Sequence, residues 1–303
     1  MKTTFPELVQ AKAHCDLEFE KDDIRIPEAA ADDDQMLIRR HVIEDRLETA
    51  LLTDCLTLDY LPVFVSDGSG IVSFEALVRW QDEELGTVSP TEFIPIAERS
   101  RRFSFLLTYW VLRTACKQAH AWPAKGQSLP VRVAVNIPAR EFYSPGFVGL
   151  VLDILRDTGM DPHRLILELT EESLTQDVGR ATKIMDELSR QGIKLSLDNF
   201  GTGDSSLNIL RRLPLDILKI DKSFIDGLPD QQGAIELASG IIAIARAMGL
   251  ALVAEGVEHE SQRALLEELH CDMIQGFLLG RPVAAEKVPG LLESFSKQPE
   301  VAH

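Results

Sequence analysis

The strongest constraint on this chain is a rhythm. From residue 90 onward, helical stretches alternate with short apolar runs six times. Residues 90–100 and 103–121 lead into 131–136, 147–158 into 165–169, and 180–191 into 193–198. Then 205–212 lead into 217–220, 234–248 into 251–254, and 260–270 into 273–275. The short runs are apolar without alternation, as strands of a parallel sheet buried on both faces must be. Upstream, residues 56–65 and 71–80 read as two strands. The link Ser66-Asp67-Gly68-Ser69-Gly70 between them is turn-rich and predicts a hairpin. Eight strand candidates with intervening helices over roughly 250 residues predict a (β/α)8 barrel, an α/β fold. The hairpin forces one of its first two strands to run antiparallel. A doubly wound open sheet is the alternative.

The chain has 303 residues, enough for one such barrel and a short appendage. Residues 1–34 read as a loosely ordered arm with room for one short helix. An amphipathic helix is expected from about residue 35 to 53. Ile38, Val42, Leu47 and Leu51 would form its apolar stripe, with Asp32-Asp33-Asp34 at its N-terminus. The expected division is 1–44 for the arm and the start of the leading helix, 45–292 for the barrel and 293–303 for a tail. No sensor domain of ordinary size fits in 1–44.

Charge and cysteine use narrow the partners. Lys and Arg total 31 against 48 Asp and Glu, a net −17, which argues against coating polymeric nucleic acid or anionic membrane. The N-terminus has no apolar run of the secretory kind. The best membrane candidate, 241–257, is interrupted by Arg246 and Gly249 and falls short of the ~20 residues a span needs. Cys15, Cys55, Cys116 and Cys271 are scattered with no CxxC pair, which predicts a cytoplasmic protein with inert thiols.

In a parallel barrel, chemistry gathers where strands end. Here those ends carry Asn136, Glu168, Asp198-Asn199, Lys219 with Asp221, Glu255 and Gln275. Turn chemistry explains Asn and Asp, but Glu and Lys are poor turn formers. Glu75 joins the set. Alternation along 71–80 puts Val72, Phe74, Ala76, Val78 and Trp80 towards the helices and Ser73, Glu75, Leu77 and Arg79 towards the interior. An interior Glu needs a partner, either a metal or Arg79. Several carboxylates and an amide form an all-oxygen set that selects Mg²⁺, Mn²⁺ or Ca²⁺. An Asp shared by two hard cations, with a Lys near the attacking water, is suited to hydrolysis of a phosphoester. The stretch from Gly201 to Ser206 lacks the Lys and third Gly of a phosphate loop and reads as a flexible loop beside the site.

Taken in order, these residues resemble the EAL-domain phosphodiesterases of bacterial cyclic di-GMP signalling, over roughly residues 45–292. The resemblance rests on Glu75-Ala76-Leu77 with Val78-Arg79-Trp80, Phe93-Ile94-Pro95 with Ala97-Glu98, and Asn136 within VAVNIPAR. It continues through Glu168-Leu169-Thr170-Glu171, the segment Asp198 to Gly203, and Leu218-Lys219-Ile220-Asp221. Ala254-Glu255-Gly256-Val257-Glu258 and Gln275-Gly276-Phe277 complete it. It implies a barrel with one antiparallel strand that hydrolyses cyclic di-GMP to linear pGpG with two Mg²⁺ or Mn²⁺, Ca²⁺ being inhibitory. Glu75, Asn136, Glu168 and Asp198 would hold the first cation. Asp198 would bridge to the second, completed by Asn199 and Glu255. Lys219 would contact the attacking water, making Lys219, Glu255 and Glu75 the catalytic set. Arg79 would meet a substrate phosphate, with Leu77 and Gln275 also lining the substrate. Glu171, Glu258 and Asp221 would support the loops, and the segment after Asp198 would form a homodimer contact. A regulatory protein could engage the N-terminal arm.

The chain departs from the family pattern where Asn199, Leu61, Asp204 and Pro138 replace Asp, Gln, Tyr and Ser. The competing readings are a degenerate EAL module that binds cyclic di-GMP or a protein without hydrolysis, and an unrelated metal phosphoesterase.

Overall fold

The computed structural model describes residues 28–53, 55–123, 130–201 and 210–296. Two units are distinguished, residues 1–41 and 42–303. What is described of the first is the start of helix α1 (Glu28–Leu52). That helix begins earlier than its apolar periodicity suggests, so Asp32-Asp33-Asp34 lies inside it and not at its N-terminus. Its buried stripe is Ile43, Leu47, Ala50 and Leu51, whereas Ile38 is exposed. The expected arm up to residue 27 and the helix expected at 205–212, save its last three residues, lie outside the described residues.

The second unit is a closed sheet. Strand β1 (Leu56–Val65) pairs antiparallel with β2 (Ile71–Asp82) on one side and with β9 (Met273–Gln275) on the other. Between them run β4 (Arg132–Asn136), β5 (Leu165–Thr170), β6 (Lys194–Phe200), β7 (Ile217–Ile220) and β8 (Ala251–Ala254), all parallel to their neighbours and to β2. The ring closure excludes the open-sheet alternative, and β1 is the antiparallel member. Two short strands lie outside the ring: β3 (Gly86–Val88) extends β2, and β10 (Val283–Ala284) pairs with β1.

Helices cover the outside. α2 (Pro90–Arg99) starts on a capping box in which Ser89 accepts from the Thr91 N–H and Glu92 accepts from the Ser89 N–H. Ser100 ends α2 and caps α3 (Arg101–His120). The outward residues of the hairpin pack there: Trp80 stands edge-on to Phe93, and Tyr60 and Phe74 both stand edge-on to Trp122. The last helix, Val288–Ser296, runs past the expected start of the tail at 293.

Inside the ring, Val63, Ala134, Ile166, Ile217, Val253 and Met273 form a separate apolar layer. Val72 packs against this layer, contrary to the simple alternation of β2. The cause is a bulge. Val63 pairs with Ser73 but Phe64 pairs with Ile71, so Val72 is left over and turns inward beside Ser73.

Candidate active site

One position up each strand from the apolar layer, every interior side chain except Leu61 is polar. The centre is Lys219 on β7. It is 2 % exposed, and its Nζ lies 2.7 Å from Glu255 Oε1, 3.1 Å from Glu168 Oε1, 3.2 Å from Glu75 Oε2 and 3.5 Å from Asp198 Oδ1. Asn136 and Gln275 complete the ring, each donating at 2.9 Å to one oxygen of Glu75. Glu75 is therefore paired with Lys219 and two amides. The alternative of a Glu75–Arg79 ion pair is overturned, because Arg79 Nε donates to Asp59 Oδ2 at 2.9 Å.

The local fold explains these positions. Parallel register sets Asn136 directly beside Glu168, whereas Glu168 lies beside Ser196, one interior position below Asp198. The turns above are held by close backbone approach. Val257 N–H donates to Gln275 O, and Leu278 N–H donates to Val257 O, both at 3.1 Å. A Cβ on Gly276 would collide with the Val257 backbone, which cannot move aside. Gly256 has φ +69°, and a Cβ there would strike the Lys222 stem.

Four carboxylates on one ammonium leave the centre with excess negative charge. Burial pushes Glu168 well above the usual carboxylate range, with the neighbouring acids adding to it and Lys219 opposing. Burial also pushes Glu255 up to about 7, against the pull of Lys219. Burial would raise Glu75 as well, but Lys219, Gln275 and Asn136 together hold it below its ordinary value. For Lys219, burial is outweighed by the four acids, and its pKa is raised.

The donor set fits hard divalent cations. All its candidate ligand atoms are oxygens, and Glu168 Oε2, Asp198 Oδ1 and Gln275 Oε1 are buried without a hydrogen-bond partner. In this arrangement the acids close on Lys219. Among the described residues, no three His, Cys, Asp or Glu are already set at metal-holding geometry. Cation binding would therefore turn carboxylates off the ammonium. Asn199 follows Asp198 in a left-handed conformation, φ 54°, and donates from Nδ2 to Asp198 Oδ2 at 3.1 Å.

The remaining expected residues are placed as follows. Glu171 is buried and accepts from the Gly201 N–H at 3.4 Å. Asp221 caps the turn after β7 by accepting from the Ser223 N–H at 2.9 Å. Glu258 pairs with Lys222 at 2.8 Å. Asp204 lies outside the described residues. Two hollows flank the centre and share Leu77. One, of about 680 Å³, is lined by Arg79, Ile94, Glu98, Thr108 and Arg140. The other, of about 480 Å³, lies between Leu61, Glu255, Gln275 and Phe277. Phe277 is half exposed with the Arg281 guanidinium 4.6 Å over its ring, a contact the sequence analysis did not identify. Asp59 as the holder of Arg79 was also missed. Strand alternation puts both residues on one face of the hairpin but does not choose between Asp59 and Glu75 as the partner of Arg79.

Comparison with known proteins gives a consistent picture. The EAL domain family model matches residues 44–282. The bifunctional diguanylate cyclase/cyclic di-GMP phosphodiesterase MucR of Pseudomonas aeruginosa is 38% identical over 242 residues, covering 80% of this chain and 35% of that protein. The cyclic di-GMP phosphodiesterase NbdA of the same organism is 38% identical over 253 residues, covering 84% of this chain and 32% of its own length. This chain thus spans about a third of the length of these relatives. A solved structure of the PaMucR phosphodiesterase in complex with c-di-GMP superposes with a TM-score of 0.76 at 38% identity. It covers 81% of this chain and 99% of that one.

Proposed function

Because this chain belongs to the EAL domain family, we propose that it is a metal-dependent phosphodiesterase that opens cyclic di-GMP to linear pGpG. The observation that carries the reading is the buried Lys219 ammonium ringed by Glu75, Glu168, Asp198 and Glu255 at the carboxyl ends of the strands. Glu75, Asn136, Glu168 and Asp198 would hold one Mg²⁺ or Mn²⁺, and Asp198, Asn199 and Glu255 a second. When bound, the cations supply charge neutralisation at the phosphodiester. Water attacks phosphorus, the bond to the 3′ oxygen breaks, and one proton moves from the water to that leaving oxygen. Lys219 orients the water. Glu255, whose Oε1 lies 2.7 Å from Lys219 Nζ, is placed to take and return the proton. The hollows on either side of the centre offer room for the two bases. A cytoplasmic location, expected from the scattered cysteines, and a homodimer through the segment after Asp198, which the family resemblance implies, belong to the same reading.

Incubation with cyclic di-GMP and Mg²⁺ or Mn²⁺ should yield pGpG. Measurable binding without product at high protein concentration would overturn hydrolysis and support the second reading, a binding module. Asn199 favours that second reading, since its Nδ2 donor points at the very carboxylate that would bridge the cations. Asn199→Asp restores a negative oxygen there and should lower the Mg²⁺ concentration for half-maximal rate. An unchanged metal titration would show that Asn199 does not limit the second cation.

A further inference from the structure

The hollow of about 680 Å³ that contains Asn136 and Glu168 of the centre also contains Arg79. Arg79 lies four residues beyond Glu75 on β2, about 13 Å further along the strand. Its guanidinium is held at two points. Nε donates to Asp59 Oδ2 at 2.9 Å, and Nη1 donates to the Val78 carbonyl at 3.0 Å. Asp59 stands on the neighbouring strand β1, directly opposite Leu77, so it meets Arg79 on the diagonal of one sheet face. Both side chains are partly exposed, Arg79 by 31 % and Asp59 by 29 %. An ion pair at such exposure adds little to fold stability. A guanidinium carries five N–H donors in a rigid fork. Two are used here, which leaves one on Nη1 and both on Nη2 without a partner among the described residues. These donors suit a phosphate, whose several oxygens accept charge-assisted bonds. A free Arg side chain samples many rotamers, and freezing it on binding weakens affinity. The Asp59 bond freezes it beforehand. Asp59 also opposes binding, since its charge offsets that of Arg79 before an anionic ligand. That repulsion acts partly through solvent and is screened by salt, whereas the Nε bond acts at contact.

We propose that Asp59 is a positioning residue: it fixes the Arg79 guanidinium so that the remaining donors meet a phosphate of the bound dinucleotide. The acceptor oxygen of Asp59 is what serves binding, and its charge is a smaller, opposing contribution. The contact with a phosphate rests on the phosphodiesterase reading, whereas the holding of Arg79 stands on the hairpin geometry.

Two substitutions separate the acceptor from the charge. Asp59→Ala removes both, and Asp59→Asn keeps an acceptor oxygen without the charge. Affinity of the full chain for cyclic di-GMP is measured by calorimetry in EDTA and with Ca²⁺. The Arg79 Nε–H resonance of the ligand-free protein is followed by NMR and assigned with Arg79→Lys. Asp59→Ala should weaken binding roughly 2- to 12-fold, the cost of ordering one long side chain. It should also move the Nε–H signal to the shift and exchange rate of a free arginine. Asp59→Asn should recover most of both. Unchanged or tighter binding in Asp59→Ala would overturn the positioning role, even if its thermal midpoint fell, since that pattern belongs to a purely structural pair. Asp59→Asn binding no better than Asp59→Ala would overturn it as well. Binding by wild type without formation of pGpG would remove hydrolysis and leave the role of Asp59 intact. No binding by wild type in either condition would overturn the phosphate contact, while the Nε–H signal would still decide whether Asp59 holds Arg79.

Discussion

Lys219 does more for the metal-free site than any other single residue, because it is the counter-charge for four acids within 3.5 Å. Removing one member of a buried ion pair leaves uncompensated charge and costs about 3–5 kcal/mol. Lys219→Met should therefore lower the thermal midpoint sharply in EDTA near neutral pH. Added Mg²⁺ should recover part of that loss, because a dication can take over the neutralising role. A midpoint equal to wild type in EDTA would show that the acids are not held by the ammonium. That Glu168, Lys219 and Glu255 gather at one centre was legible in the sequence, because neither Glu nor Lys is explained by turn chemistry at a strand end. That Arg79 turns to Asp59 was not legible. The choice between Glu75 and Asp59 as its partner depends on which side chains meet inside a closed ring, and that is settled only when the strands are in register.

At the level of elements, the helix–strand rhythm and the hairpin were readable from apolar periodicity, whereas irregularities were not. The bulge at Val72 adds one residue to β2, and no residue type announces it. The start of α1 was misplaced because its first turns carry acids and alanines, which favour helix without marking a face. One polar junction ties α1 to the hairpin. Asp82 accepts from Arg46 Nε at 2.8 Å and from the N–H groups of Glu84 and Leu85 at 2.9 and 3.0 Å. Asp82→Ala strands those two N–H groups and should cost on the order of 1–2 kcal/mol by chemical denaturation. Burial would raise the Asp82 carboxyl, but the Arg46 bond and the two backbone donors outweigh it and hold it below its ordinary 3.8. A depressed pKa means the folded state binds fewer protons there. The junction's contribution is complete above about pH 3.8 and is lost as pH falls through the folded-state value. Wild type and Asp82→Ala should converge in stability in strong acid. A gap that stays constant from pH 6 to 2 would assign the effect to packing.

For the whole molecule, the net charge of −17 makes two separate demands on cations. Diffuse self-repulsion is relieved by any salt, without saturation at a defined stoichiometry, because screening depends on ionic strength. The acids around Lys219 are different: their excess charge is local, buried and lined by orphaned oxygens, so a dication that turns them off the ammonium should bind there with a definite affinity. Thermal midpoints in NaCl and in MgCl₂ at matched ionic strength separate the two. NaCl should give a shallow, continuing rise. MgCl₂ should add a saturating increment, which for one site reaches about 2.7 kcal/mol at a hundredfold excess over Kd. In a domain of this size that corresponds to roughly 5–10 °C. Asp198→Asn should remove the saturating increment and leave the shallow rise intact, since it changes the total charge by a small fraction but takes a carboxylate from the centre. If NaCl and MgCl₂ act alike at equal ionic strength, the buried acids serve Lys219 alone, and the cation requirement of the proposed chemistry fails without any measurement of activity.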